Sequence, residues 1–267
     1  GNIISPNPNA IAAADTFHLP LTSVMMAGII PAVFGLILTY FLAKRLVKKG
    51  SRVSEQEVVV VDKQDLPHFG TAMIAPLCAI LLLALRPLFD IKVDPLIALP
   101  VGGLVGALCM GKIGHANRYA VSGLGKMAPV AIMLLGTGAL AGIIANSGLK
   151  DVLIQGLEHS GLPSYILAPI SGALMSLATS STTAGTAVAS NVFSGTLLEL
   201  GVSGLAAAAM IHAGATIFDH MPHGSFFHAT GGSVNMDIKE RLKLIPYESA
   251  VGLIMTIVST LIFGVFA

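Results

Sequence analysis

Six hydroxyl side chains fall within eight residues at Thr179-Ser180-Ser181-Thr182-Thr183-Ala184-Gly185-Thr186, and Ser190 and Asn191 follow closely. Hydroxyls both donate and accept hydrogen bonds, so such a wall suits a polyhydroxylated molecule. If a helix breaks here, freed backbone N–H groups at the positive end of a half-helix can also hold a carboxylate. The plainer alternative is that Ser and Thr pack helix on helix and bond back to their own carbonyls, a role that does not require this density. A second constellation is His212, Thr216 and Asp219, spaced i, i+4 and i+7 as on one helix face, running on into His220, Pro222, His223 and His228. Asp219 is the only acidic residue between Glu199 and Asp237. A carboxylate beside imidazoles at the end of a membrane span can exchange protons near neutral pH. Asp219, His220, His223 and His212 are therefore the candidates for proton coupling, and simple capping of a helix by Asp219 and His220 is the alternative. A metal site from Asp219, His220, His223 and His228 matches no established zinc spacing, so no metal, cofactor or catalytic residue is expected. The third constellation is Ser5-Pro6-Asn7-Pro8-Asn9, where Asn7 and Asn9 offer amides and the prolines oppose regular helix.

The elements that must position these groups are membrane helices. Of the 267 residues, 54% are hydrophobic and 11% charged, with mean hydropathy +0.81, against about 25% charged in a soluble domain. Lipid solvates the apolar faces that water would not. The surplus falls in blocks long enough to span: Leu21–Ala43, Thr71–Leu88, Pro95–Gly111, Pro129–Ala145 and Ser249–Ala267, with a small-residue-rich sixth at Gly201–Phe218. Leu162–Leu198 is too long for one span and reads as two helical arms around an unwound or sharply turned segment at the hydroxyl run. Leu149–Gly156 is amphipathic and suits the outer interface. Cys78 and Cys109 sit in apolar runs as small buried hydrophobes. The net charge of +1, with no Arg/Lys-aromatic pattern, gives no reason to expect nucleic acid.

Twelve of the fifteen basic residues fall in three loops, around Lys44–Lys63, Lys112–Lys126 and Lys239–Lys243. With all three loops cytoplasmic, the crossings alternate without a clash, as the positive-inside rule requires. Lys44–Gly70 reads as a cytoplasmic connector with one short extended piece at Val58–Val61. A Pro-containing turn, a small-residue stretch and a spanning helix occur near the start, and again near the end in the opposite orientation, as inverted repeats would leave them. The expected organisation is thus residues 1–43 as the end of an N-terminal transmembrane repeat, 44–70 as the connector and 71–267 as a C-terminal repeat. With Gly1 in a polar stretch and no initiator Met, the chain reads as the later part of a longer protein.

The runs IIANSGLKDVLIQGLEHSGLPSYILAPISGALMSLATSSTTAGTAVASN (Ile143–Asn191) and AAAAMIHAGATIFDHMPHGSFFHATGG (Ala206–Gly232) resemble the gluconate permease (GntP) family of bacterial symporters, and SPNPNAIAAA resembles its first-half Pro-rich motif. The resemblance implies an all-α polytopic carrier of the ion-transporter-superfamily type, with inverted repeats and broken or re-entrant helices. It implies proton-coupled uptake of gluconate, a related sugar acid or, in some branches, D-serine across the bacterial inner membrane. Carried over by position, Thr179, Ser180, Ser181, Thr182, Thr183, Thr186, Ser190 and Asn191 would form one half of a substrate site, flanked by Asp219–Gly224, with Asn7 and Asn9 from the other repeat. The opening motif departs from a Pro-Gly-Pro core, since Asn7-Pro8-Asn9-Ala10 stands there, and this bears on which acid is carried. The expected partners are a gluconate-like acid, protons, the lipid bilayer and the missing N-terminal part of the same chain, with a homo-oligomer left open. A sodium-coupled carrier and an intramembrane metal-dependent enzyme are the alternatives; nothing reads as the charged ring of a channel.

Overall fold

The computed structural model describes residues 2–47, 49, 67–89, 91, 93–234 and 236–266, and every regular element among them is helical. The expected extended piece at Val58–Val61 and most of the connector lie outside the described residues. The described chain divides into two compact units, the smaller formed by residues 20–22 and 67–133 and the larger by the remainder.

In the smaller unit, α4 (Phe69–Phe89) packs against α5 (Pro95–Cys109). Asp94 caps α5 by accepting from the Leu96 N–H at 2.7 Å, and Pro95 supplies the fixed φ of a first helical residue. The pair is close because α5 presents glycines: a β-carbon on Gly106 would lie 2.5 Å from that of Ala75. The unit boundary falls within α6 (Ala116–Ala145).

The larger unit opens with α1 (Pro8–Thr16), α2 (Leu21–Ala27) and α3 (Ile29–Leu46). The predicted span Leu21–Ala43 is present as the apolar stretch Leu21–Leu46, with helical dihedrals kept at the junction Gly28, where Ile3 crosses so close that a β-carbon would lie 2.1 Å from its carbonyl oxygen. After α7 (Leu149–Ser160) and a 3₁₀ turn at Ser164–Ile166 come α8 (Leu167–Thr179), α9 (Thr182–Glu199) and α10 (Gly204–Gly214). The short helices α11 (Ser225–Ser233) and α12 (Ile238–Leu242) lead into α13 (Ile245–Thr260), which continues as a π-helical turn at Leu261–Val265.

Helix α10 is the centre of this unit, with every residue from Ala206 to Gly214 buried. Its small side chains let α1, α8, α9 and α13 approach, the packing expected where lipid removes the hydrophobic force between helices. Two glycines make the α8 contact reciprocal. A β-carbon on Gly172 would lie 2.2 Å from the Ile211 carbonyl oxygen, and one on Gly214 would lie 2.3 Å from that of Pro169. On the other side Thr256 of α13 donates to the Ala213 carbonyl at 3.0 Å.

Leu21–Leu46 and Ile238–Val265 are long and apolar enough to cross a membrane, while Phe69–Leu85, Pro95–Cys109, Ser164–Thr179 and Gly204–Gly214 are apolar but shorter. At 1.5 Å per residue, α4 over its full 21 residues matches the roughly 30 Å of a hydrocarbon core, whereas α5, α8 and α10 are shorter than it. The outer face of α3 leaves Leu36 71% and Phe41 58% exposed. Lipid tolerates that exposure where water would not, and with the long apolar helices it marks a membrane protein.

Candidate functional site

The hydroxyl run is where the chain reverses. Helix α8 ends at Thr179, Ser180 takes the left-handed conformation (φ 47°, ψ 43°), Ser181 is extended and α9 begins at Thr182. The arms α8 and α9 pack on each other as a hairpin. A left-handed non-glycine residue costs about 1–2 kcal/mol, and here Ser180 is fixed by its neighbours. Its Oγ donates to the Met221 carbonyl at 2.8 Å, and a β-carbon on Gly224 would sit 2.2 Å from that Oγ. Ser181 caps α9 by accepting from the Ala184 N–H at 3.3 Å. The expected two arms around a sharp turn are present, but the turn is only Ser180-Ser181; Thr182, Thr183 and Thr186 belong to the first turns of α9.

Helix α10 stops at Gly214. His212, Thr216 and Asp219 therefore do not share a helix face as their spacing suggests: Thr216 and Asp219 lie in the turns that follow. Those turns carry Asp219 to Thr182, whose hydroxyl donates to Asp219 Oδ2 at 2.5 Å. Asn2 Nδ2 donates to Thr182 Oγ1 at 2.7 Å and to Asp219 Oδ2 at 3.4 Å. His220, 1% exposed, spans two partners: Nδ1 lies 3.1 Å from Asp219 Oδ1, and Nε2 lies 2.8 Å from Ser249 Oγ on α13. The imidazole thus links Asp219 to Ser249.

The amides near the start serve as a brace behind this group. Asn7 caps α1, accepting from the Ala10 N–H at 2.9 Å, with Pro8 as the first helical residue. The prolines thus start a helix where they were expected to prevent one. Asn9, 2% exposed, accepts from the Thr183 hydroxyl at 2.8 Å and donates to Asn2 Oδ1 at 2.9 Å. Its Nδ2 also lies 3.1 Å from His212 Nε2. Asn7, Asn9 and His212 therefore stand behind Thr183, each bonded within the protein.

Within the larger unit, a cavity of about 620 Å³ opens beside these groups. Ser180–Thr183, Thr216, Asp219, His220 and Asn2 form its polar wall; Leu42 and Leu46 of α3 and Val251 and Met255 of α13 form an apolar one. Glu248 of α13 also faces it. Other predicted residues stay outside. Thr186 and Ser190 are fully buried with no hydrogen-bond partner for either hydroxyl. Asn191 is exposed and bonds back to the Ala187 carbonyl at 2.8 Å, while His223, also exposed, bonds the Leu177 carbonyl at 3.1 Å. Thr179 bonds back to the Met175 carbonyl at 2.8 Å. Among the described residues no group of His, Cys, Asp and Glu is arranged to hold a metal.

The direction of the hydroxyl bonds matters chemically. Thr39, Ser180 and Thr216 each donate to a backbone carbonyl, Thr182 donates to Asp219 and Thr183 to the Asn9 amide oxygen. Their protons are spent inside the protein, so towards the cavity these hydroxyls present lone pairs. Five hydroxyls of the wall thus present acceptors, beside the N-terminal end of α9 and the Asn2 amide, which can donate. Residues that the sequence reading passed over complete the site: Asn2, Ser249 and the Glu248–Arg241 pair. Asn2 lies just before the Pro-rich motif. Glu248 and Ser249 sit where the last apolar run begins, with Arg241 seven residues earlier.

Residues 70–160 match the Na+-H+ antiporter family. The whole chain is 86% identical to an uncharacterized transporter of Haemophilus influenzae and covers 64% of it. It is 23% identical, over 98% of its length, to the high-affinity gluconate transporter of Escherichia coli, covering 65% of that protein. The chain thus spans just under two thirds of the length of these curated relatives. No solved structure matches it. These likenesses support a transporter family.

Proposed function

We propose that the chain is the larger part of a proton-coupled secondary transporter for gluconate or a related small sugar acid, of the gluconate permease type, spanning the bacterial inner membrane several times. The observation that carries this reading is the meeting of Thr182, Asp219 and His220 at one wall of a cavity of about 620 Å³. The positive end of α9 opens at the same wall and supplies N–H groups to a carboxylate. Asp219 has only neutral hydrogen-bond donors and an imidazole around it. A proton on Asp219 removes the repulsion an incoming anion would meet, and this would couple the two. The likeness to the high-affinity gluconate transporter supports the substrate class. In this reading the α8–α9 hairpin is one of the two broken elements of an inverted-repeat carrier, and α1 with its Asn7 cap belongs to the other repeat.

Uptake of labelled gluconate into vesicles carrying the complete protein tests the proposal. Accumulation driven by an inward proton gradient, abolished by a protonophore and competed by other aldonates, is the expected result. No accumulation beside a working control would remove gluconate and move the search to D-serine and other small hydroxy acids.

A second reading draws on the match of residues 70–160 to the Na+-H+ antiporter family: the driving ion would be sodium. That segment contributes none of the residues that line the cavity, so it bears on the protein's class more than on this site. Uptake that follows a sodium gradient with no pH gradient would decide for it.

A further inference from the structure

The cavity holds a second carboxylate, Glu248, built differently from Asp219. Arg241 grips it with both arms, Nη1 to Oε2 at 2.6 Å and Nη2 to Oε1 at 3.0 Å. The guanidinium is itself fixed: Nε donates to Thr230 Oγ1 at 3.2 Å, and the group lies 4.8 Å over the Phe227 ring of α11. The Arg241 side chain is 3% exposed, whereas that of Glu248 is 30% exposed and faces the cavity.

Three consequences follow from this arrangement. As a carboxylate in bidentate contact with a guanidinium, Glu248 presents acceptors to the cavity. Each carboxylate oxygen uses one lone pair on Arg241 and keeps another. The pair is also rigid, since buried Arg241 is anchored to α11 on one side and α13 on the other. Beside it, the hydroxyls of Thr39, Ser180, Thr182, Thr183 and Thr216 have all given their protons to protein groups. Together with Glu248 these hydroxyls complement donor groups on a bound molecule.

We propose that Glu248, held in place by Arg241, is a specificity-determining residue that accepts hydrogen bonds from the hydroxyl groups of the substrate. The inference rests on the transport reading above and deepens it: the carried acid is a polyhydroxylated one, selected over acids of equal length without distal hydroxyls. Selection works through a rigid acceptor, because an acid lacking the donor leaves the remaining lone pairs of Glu248 unmatched.

The test compares KM for gluconate and for 2-hydroxyhexanoate in vesicles carrying the complete protein. The wild type is expected to favour gluconate by about tenfold or more, the size of a hydrogen bond to a charged group. The double variant Arg241→Met/Glu248→Leu removes the whole ion pair and strands neither charge; its ratio is expected to fall towards one. Glu248→Asp keeps the charge and withdraws it by one methylene, and lowers the ratio independently should the double variant fail to reach the membrane. A ratio retained in either variant overturns the assignment while leaving the transport reading intact. A wild type that takes up neither acid overturns both. A wild-type preference for D-serine that the variants abolish overturns the hydroxyl assignment in favour of an ammonium partner.

Discussion

Asp219 and Glu248 line the same cavity, and their partners differ in kind. Glu248 faces a buried guanidinium in bidentate contact, while Asp219 accepts from a threonine hydroxyl, an asparagine amide and an imidazole. The first carboxylate is paired with a permanent charge, and the second with neutral donors and an imidazole. In the proposed carrier the fixed pair would choose the cargo and Asp219 would couple it to protons. The difference was built by position. Glu248 lies in the first turn of α13, within reach of α12, and Asp219 lies in the unwound stretch after α10.

The largest effect should come from breaking the fixed pair on one side. Glu248→Leu strands Arg241, 2% exposed, without its partner; removing one member of a buried pair costs about 3–5 kcal/mol. Thermal unfolding of the purified protein should show this loss. Arg241→Met/Glu248→Leu should recover most of it. If the single and double variants are equally stable, the pair does not hold α11 and α13 together.

Asp219→Asn should do the opposite, with a small change in stability and a large one in coupling. The amide keeps an oxygen for Thr182 and loses the charge. Proton-driven accumulation should fall about tenfold per unit of pH gradient, towards simple equilibration, with substrate binding kept. Full proton-driven accumulation by Asp219→Asn would remove Asp219 from coupling and erase the contrast with Glu248.

How far the sequence foretold this depends on the range of the interaction. The break at Ser180-Ser181 was legible because hydroxyl density is local, as was the apolar content of α3, α4, α5 and α13. The need for glycine at position 28 was not legible, because it comes from Ile3 crossing from another part of the chain. The helical face of His212, Thr216 and Asp219 failed for a related reason: periodicity continues through Ala215–Phe218, but the helix ends at Gly214. Thr182 and Asp219 could each be named from sequence, yet their pairing across 37 residues could not. Nor could the reach of Asn2 to Asp219 across 217. Thr186 and Ser190 show the limit of composition, since the same residue types further along α9 lie buried beyond the cavity.

Ser249→Ala sharpens the contrast at a smaller scale. The hydroxyl lies 2.8 Å from His220 Nε2, and losing one such bond costs about 1 kcal/mol. If His220 serves Asp219, the variant should shift the pH profile of uptake and leave the gluconate-to-2-hydroxyhexanoate ratio alone; Ser249→Thr should restore the profile. A changed ratio with an unchanged profile would assign Ser249 to the selecting side of the cavity.

The smallest effect is expected at Thr186, where the hydroxyl is fully buried without a partner. Thr186→Val keeps the shape and removes a group that gains nothing from its surroundings, so stability should hold or rise by up to about 1 kcal/mol. Uptake should be unaffected. Thr182→Val, one helical turn earlier, removes the donor to Asp219 and should impair coupling. The two hydroxyls share a residue type, a helix and a face, so the pair asks whether chemistry follows the hydroxyl run itself or only its contact with the carboxylate. Loss of uptake in Thr186→Val would return the whole run to the binding site; loss in Thr182→Val alone would confine the chemistry to the meeting of α9 with Asp219.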